Sequence, residues 1–150
     1  ISGLYGSIKP GSNPQGTASP DSEIGQAPSV SLATVRRSGD AVRTPVWMAP
    51  SGGAHFVFSA GNAGKVKRLR NSDRAEVAVC DVRGKVLGSF YPASARLLTE
   101  AAEISEALDA LRRKYGVQMW LADLGSRLTG KYHRRAYIRV EILAQSPAKP

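Results

Sequence analysis

The residues best placed to do chemistry are Ser59-Ala-Gly-Asn-Ala-Gly-Lys-Val-Lys-Arg-Leu-Arg70. A loop of small residues ending at Gly64 runs into a short basic helix that carries Lys65, Lys67, Arg68 and Arg70. Small residues let a ligand approach the backbone closely. A helix start offers unpaired N–H groups and the positive end of the helix dipole, and lysine and arginine add charge-assisted donors. The pattern predicts a cradle for a phosphate, and so a phosphorylated cofactor. A solvated helix face is the alternative for Lys65 and Arg68, and their place at the first turn after the loop brings the two readings level.

Other chemistries find little footing. The chain has two histidines, His55 and His133, far apart and away from its single cysteine, so no metal-ligand spacing arises. His55 opens a strand and reads as a satisfied surface residue. No nucleophile-elbow or zinc-protease motif is present. Glu100, Glu103, Glu106 and Asp109 fall on one amphipathic helix and read as its solvated face. Cys80 alone excludes an internal disulfide and suits a reducing, cytoplasmic location. An enzyme with this inventory would take its hard chemistry from a cofactor, with the protein binding and orienting it.

The net charge of +9 invites a nucleic-acid reading. Much of it lies in two clusters, residues 65–74 and 127–139. Single-strand binders interleave such cations with aromatic stacking platforms. Aromatics make up only 7% of this chain, and none falls in the first cluster. The balance favours a basic surface or a groove for an anionic small molecule over nucleic acid.

The elements that must hold the loop follow from pattern. At 150 residues the chain is long enough for one domain with a core. No apolar run approaches the roughly 20 residues needed to span a bilayer, and the start lacks a signal-peptide pattern. Residues 1–28, rich in Gly, Ser and Pro, read as a flexible segment. Residues 29–144 are the expected globular domain, and 145–150 a tail. Strands are predicted at 30–36 and 41–48, joined at Ser38-Gly-Asp40 as a hairpin, and at 55–58 after a turn at Pro50-Ser-Gly-Gly53. A short helix follows over 63–70, with Asn62 as N-cap and Val66 and Leu69 facing the core. A strand at 75–82, a turn at Arg83-Gly84, and a long strand over 85–98 bent near Gly88 and Pro92 come next.

Ala101, Ile104, Leu108, Leu111 and Tyr115 then recur at helical spacing. Gly116 stops that helix. A second helix is predicted at 117–128, with Trp120 in the core, and a last strand at 136–143. The result is a mainly β fold: six antiparallel strands closed into a barrel with flanking helices.

Ser31-Leu-Ala-Thr-Val-Arg36, Thr44-Pro-Val-Trp47, Gly64-Lys-Val-Lys-Arg-Leu-Arg70 and Val79-Cys-Asp-Val-Arg-Gly84, taken in order, resemble the split-barrel flavin and deazaflavin oxidoreductases. The likeness covers about residues 29–143 and is to the pyridoxamine-phosphate-oxidase-like branch that depends on coenzyme F-420. It implies a six-stranded split β-barrel, a homodimer with cofactor sites at the subunit interface, and hydride transfer from the reduced deazaflavin to a small electron-poor substrate. On the same basis the strand with Thr44, Pro45, Val46 and Trp47 lies along the cofactor ring, and Ser59, Gly64, Lys65, Lys67 and Arg68 hold its phosphate. Without the family, Pro45-Val46-Trp47 reads as an edge strand with a core tryptophan. Tyr91, Tyr115 and Tyr132 are unranked candidate proton donors. The phosphate and acidic tail of F-420 suit a protein of charge +9. The alternatives are an FMN-binding oxidase or reductase on the same fold, and a non-catalytic protein that binds a cofactor or nucleic acid.

Overall fold

The computed structural model describes residues 19–148. Seven strands form one antiparallel sheet in the order β2-β1-β5-β6-β7-β4-β3. Their bounds are β1 Ser29–Val35, β2 Ala41–Val46, β3 Met48–Ser51, β4 Ala54–Ala60, β5 Arg74–Cys80, β6 Tyr91–Leu97 and β7 Arg135–Ile142. The sheet's two edges, β2 and β3, are separated in sequence by Trp47 alone. Edges joined by one residue cannot lie at opposite ends of a flat sheet, so the sheet curls until they meet. This is the antiparallel barrel the pattern predicts, in the split form the family resemblance implies, with one strand more. The extra strand arises because the run expected over 41–48 breaks at Trp47, and its continuation pairs with β4 from Met48↔Val57 to Ser51↔Ala54. Gly52 and Gly53, at φ 56° and 82°, make the turn between them.

The curled wall has a core on each side. Alternate residues of a strand face opposite ways, so Met48, Val57 and Ile138 join Leu32, Val77 and Val140 inside the barrel. Ala49, Phe56 and Tyr137, one residue along, meet the helices outside. Those helices are α3 Ala101–Tyr115 and α4 Val117–Leu128. The predicted stripe of α3 packs as expected: Leu111 and Tyr115 are buried, with Ile104 and Leu108 beside them. Gly116, at φ 52°, ends α3 and starts α4. The short basic helix is α2, Gly64–Leu69, with Val66 and Leu69 buried as predicted.

Several expectations are corrected. Of residues 1–28, 1–18 lie outside the described residues, but Pro20–Gln26 forms a helix, α1, where a flexible segment was expected. The Ser19 hydroxyl caps it by accepting from the Ser22 N–H at 3.2 Å, Pro20 suits a first turn, and Ile24 is fully buried. Asn62 is not the cap of α2; Ala63 holds that position, without a side-chain hydrogen bond. The long strand expected over 85–98 begins only at Tyr91, because Val86 makes an isolated bridge to Cys80. Trp120 is 61% exposed rather than core, since α4 turns Met119 inward and leaves Val117, Trp120, Leu121, Leu124 and Leu128 outside. His55 is buried, not a surface residue; its Nε2 lies 2.9 Å from Asp21 Oδ1 and fastens α1 to β4. The side chain of His133 lies outside what the structure describes.

Candidate cofactor site

The seam where the edges meet is also a cleft. It has a volume of about 390 Å³ and is lined by Pro45, Val46 and Trp47 from the seam, Ser59 from the end of β4, and Lys65 from α2. Val82, 81% exposed on the turn after β5, stands at its rim. That turn is tight: Asp81 Oδ1 accepts from the N–H groups of Arg83 and Lys85, each at 2.9 Å. Gly84, at φ 95°, lets it close against the Pro45 ring.

Five of the nine expected site residues therefore share one cleft: Pro45, Val46, Trp47, Ser59 and Lys65. The rest sit around it in different roles. Thr44 lies one residue along β2, and its Oγ1 is buried with no hydrogen-bond partner among the described residues. Gly64 starts α2, and a Cβ there would come within 2.8 Å of Arg68 Nη1, so the glycine makes room for Arg68 to fold back over the helix start. Arg68 donates from Nε to Thr34 Oγ1 at 2.6 Å, which commits it to the β1 wall. Lys67 is exposed and does not line the cleft.

Lys65 is the cleft's own cation. It is partly buried, and burial first, then the nearby charge of Arg68, holds its pKa below the ordinary lysine value. A buried ammonium with a like charge beside it gains from an anionic partner. Edge strand β2 pairs on one side with β1 only, from Val30↔Val46 to Val35↔Ala41. Its other side leaves backbone groups for a ring lying in the cleft. The open edge of β2, the Ser59 hydroxyl and the Lys65 ammonium are the donors the cleft offers a phosphorylated planar cofactor, so the residues fit such a group.

Two residues behind the cleft were not foreseen in this role. The Tyr115 ring stacks on Trp47, with centroids 4.8 Å apart. Its hydroxyl accepts from the Met48 N–H at 3.1 Å and donates to the Pro28 carbonyl at 2.9 Å. Lys114 donates to the carbonyls of Ala27, at 2.6 Å, and of Met48. Phe58 meets Trp47 edge-on, with centroids 6.0 Å apart. Spacing placed Tyr115 on the buried stripe of α3, but nothing in it ties residues 114 and 115 to residue 47. Of the tyrosines weighed as proton donors, Tyr115 has its hydroxyl committed to backbone, and burial raises its pKa. Tyr91 packs against the barrel core. The Tyr132 ring lies against the guanidinium groups of Arg127 and Arg135.

The pyridoxamine 5'-phosphate oxidase family matches residues 21–143, and the chain belongs to it. No curated protein sequence matches. Among solved structures, the chain resembles a candidate 5-nitroimidazole antibiotic resistance protein from Bacteroides thetaiotaomicron (TM-score 0.61, 13% identity, covering 83% of this chain and 78% of that one). It also resembles HutZ, the heme storage protein of Vibrio cholerae (TM-score 0.60, 14% identity, 82% and 87% covered). A third likeness is to the conserved protein Rv2991 of Mycobacterium tuberculosis (TM-score 0.60, 16% identity, 84% and 78% covered). At these identities the likenesses establish the split-barrel fold. No helix among the described residues is long and apolar enough to cross a membrane.

Proposed function

We propose that the protein is an oxidoreductase that binds the deazaflavin coenzyme F-420 in the seam cleft and reduces a small electron-poor substrate. The observation that carries this reading is the meeting of Trp47, Ser59 and the half-buried Lys65 in one cleft, beside the unpaired edge of β2. Bound there, the reduced deazaflavin would supply a hydride. The chain's share is to orient the ring along residues 45–47, to hold the phosphate near Ser59 and Lys65, and to exclude water with Trp47 and Phe58. Its charge of +9 suits a cofactor with a phosphate and an acidic tail.

A second reading, FMN in the same cleft of an oxidase or reductase, is favoured by membership of the pyridoxamine 5'-phosphate oxidase family. As the family resemblance implies, the working form is a homodimer. The exposed apolar face of α4 is one surface such pairing would cover, and sedimentation equilibrium gives the mass.

The deciding experiment is a titration followed by Trp47 fluorescence in a Trp120→Phe background, with F-420 and FMN separately. Quenching by F-420 alone supports the deazaflavin reading. Quenching by FMN alone moves the protein to the flavin reading, and silence with both removes the cofactor assignment.

A further inference from the structure

A second cleft, of about 540 Å³, shares Phe58, Ser59 and Ala60 with the first. None of its lining residues is acidic, and it carries three cations, Lys131, Arg134 and Arg135. Arg135 is already committed. Its guanidinium donates to Asp123 Oδ1 at 2.7 Å and to Ser126 Oγ at 2.9 Å. It also lies 4.6 Å from the centroid of the Phe58 ring. Lys131 and Arg134 are exposed and make no ion pair among the described residues. Gly61 sets the width of this cleft, because a Cβ there would fall 2.3 Å from the Arg134 carbonyl oxygen. The loop before α2 is thus pressed against the turn that carries both uncommitted cations.

We propose that this cleft is a second ligand seat, one that takes a flat apolar molecule bearing a carboxylate. The apolar body lies against Phe58 and Ala60, and the carboxylate meets Lys131 and Arg134. Phe58, Ser59 and Ala60 line both clefts, so a molecule held here would lie next to one held in the first. The seat's place beside a cofactor rests on the function proposed above; its preference for a carboxylate does not.

Naphthalene-2-carboxylate and its neutral carboxamide test the seat, titrated into ¹⁵N-labelled full-length protein. The carboxylate is expected to shift the amides of Gly61, Asn62 and Ser126 and to bind about tenfold or more tighter than the carboxamide, as charge-assisted hydrogen bonds do. The Lys131→Ala/Arg134→Ala double variant, altered only at exposed side chains, should lose that preference. Equal binding of the two probes, an unchanged preference in the double variant, or shifts elsewhere would overturn the proposal. Repeating the titration with F-420 bound separates two sources of the carboxylate. Displacement assigns it to the cofactor's acidic tail, and simultaneous binding assigns it to a separate acidic substrate. If neither F-420 nor FMN binds while the carboxylate still shifts these amides, the seat stands and the cofactor reading falls.

Discussion

The rings of Trp47 and Tyr115 lie 4.8 Å apart and within 13° of parallel, so the residue that closes the barrel is backed by the last residue of α3. The Tyr115 hydroxyl bonds both Met48 and Pro28, tying the seam to the entry into β1. Replacing Tyr115 with Phe keeps the stack and strands a buried N–H and a carbonyl. The expected cost is about 1–3 kcal/mol, read as a lower urea midpoint. Trp47 emission in the Trp120→Phe background should stay near its starting wavelength in Tyr115→Phe and move in Tyr115→Leu. Unchanged stability in Tyr115→Phe would mean that the hydroxyl does not hold the seam.

Lys114 adds a pH dependence. Burial lowers its pKa from the ordinary 10.5 to about 8. The folded protein therefore releases this proton before the unfolded chain does. Between about pH 8 and 10.5 the unfolded state binds more protons, and this group makes stability rise with pH across that window. A neutral amine still has two N–H bonds for its two carbonyls. Wild type should gain on Lys114→Met as pH rises through the window, in paired unfolding measurements; a loss of wild-type stability relative to the variant would show the sign to be wrong.

The basic residues of α2 should separate by role. Lys65→Ala is expected to weaken binding of a phosphorylated cofactor roughly tenfold, the loss of one charge-assisted contact, with little change in melting temperature. Arg68→Ala leaves the buried Thr34 hydroxyl without its donor and should cost stability, about 1–3 kcal/mol. Lys67→Ala should change neither. Fluorescence titration and calorimetry on the three variants check the division, which fails if Arg68→Ala keeps full stability and loses only affinity.

Gly61→Ala forces a methyl group against the Arg134 carbonyl, which is backbone and cannot swing away. Either the loop or the turn must shift, at about 1–3 kcal/mol by analogy with overpacked cores. Amide shifts at both 61 and 134, with a lowered melting temperature, are the expected result.

Asp123, 6% exposed, takes Arg112 at 3.1 Å and Arg135 at 2.7 Å. Asp123→Ala leaves the buried Arg135 uncompensated, which should cost about 3–5 kcal/mol. Chemical denaturation measures it, and a loss below 1 kcal/mol would mean that water replaces the carboxylate.

Much of this molecule is legible in the chain because its signals are local. The stripe of α3, the hairpin at Ser38-Gly-Asp40 and the loop into α2 depend on neighbours a few residues apart. What stayed hidden depends on distance. Trp47 breaks a strand because the residues after it pair with β4 instead of β1, and the apolar run from Pro45 to Met48 gives no sign of it. His55 is buried by Asp21 from a helix that composition alone reads as linker. Arg68 and Lys65 are alike in the sequence, and only the position of Thr34 on β1 tells the committed cation from the one facing the cleft. Trp120 shows the converse: helical periodicity locates an apolar face without saying that the barrel covers it.

The two edges brought together at Trp47 each carry a proline, Pro45 on β2 and Pro50 on β3. Open edges recruit strands from other molecules, and proline interrupts that recruitment. Closure at a single residue shields the edges further by turning them toward each other. Trp47 is thus a colloidal safeguard as well as a lining residue of the cleft: a backbone cut there would free two edges with one proline apiece, and the nicked protein would precipitate at concentrations the intact chain tolerates.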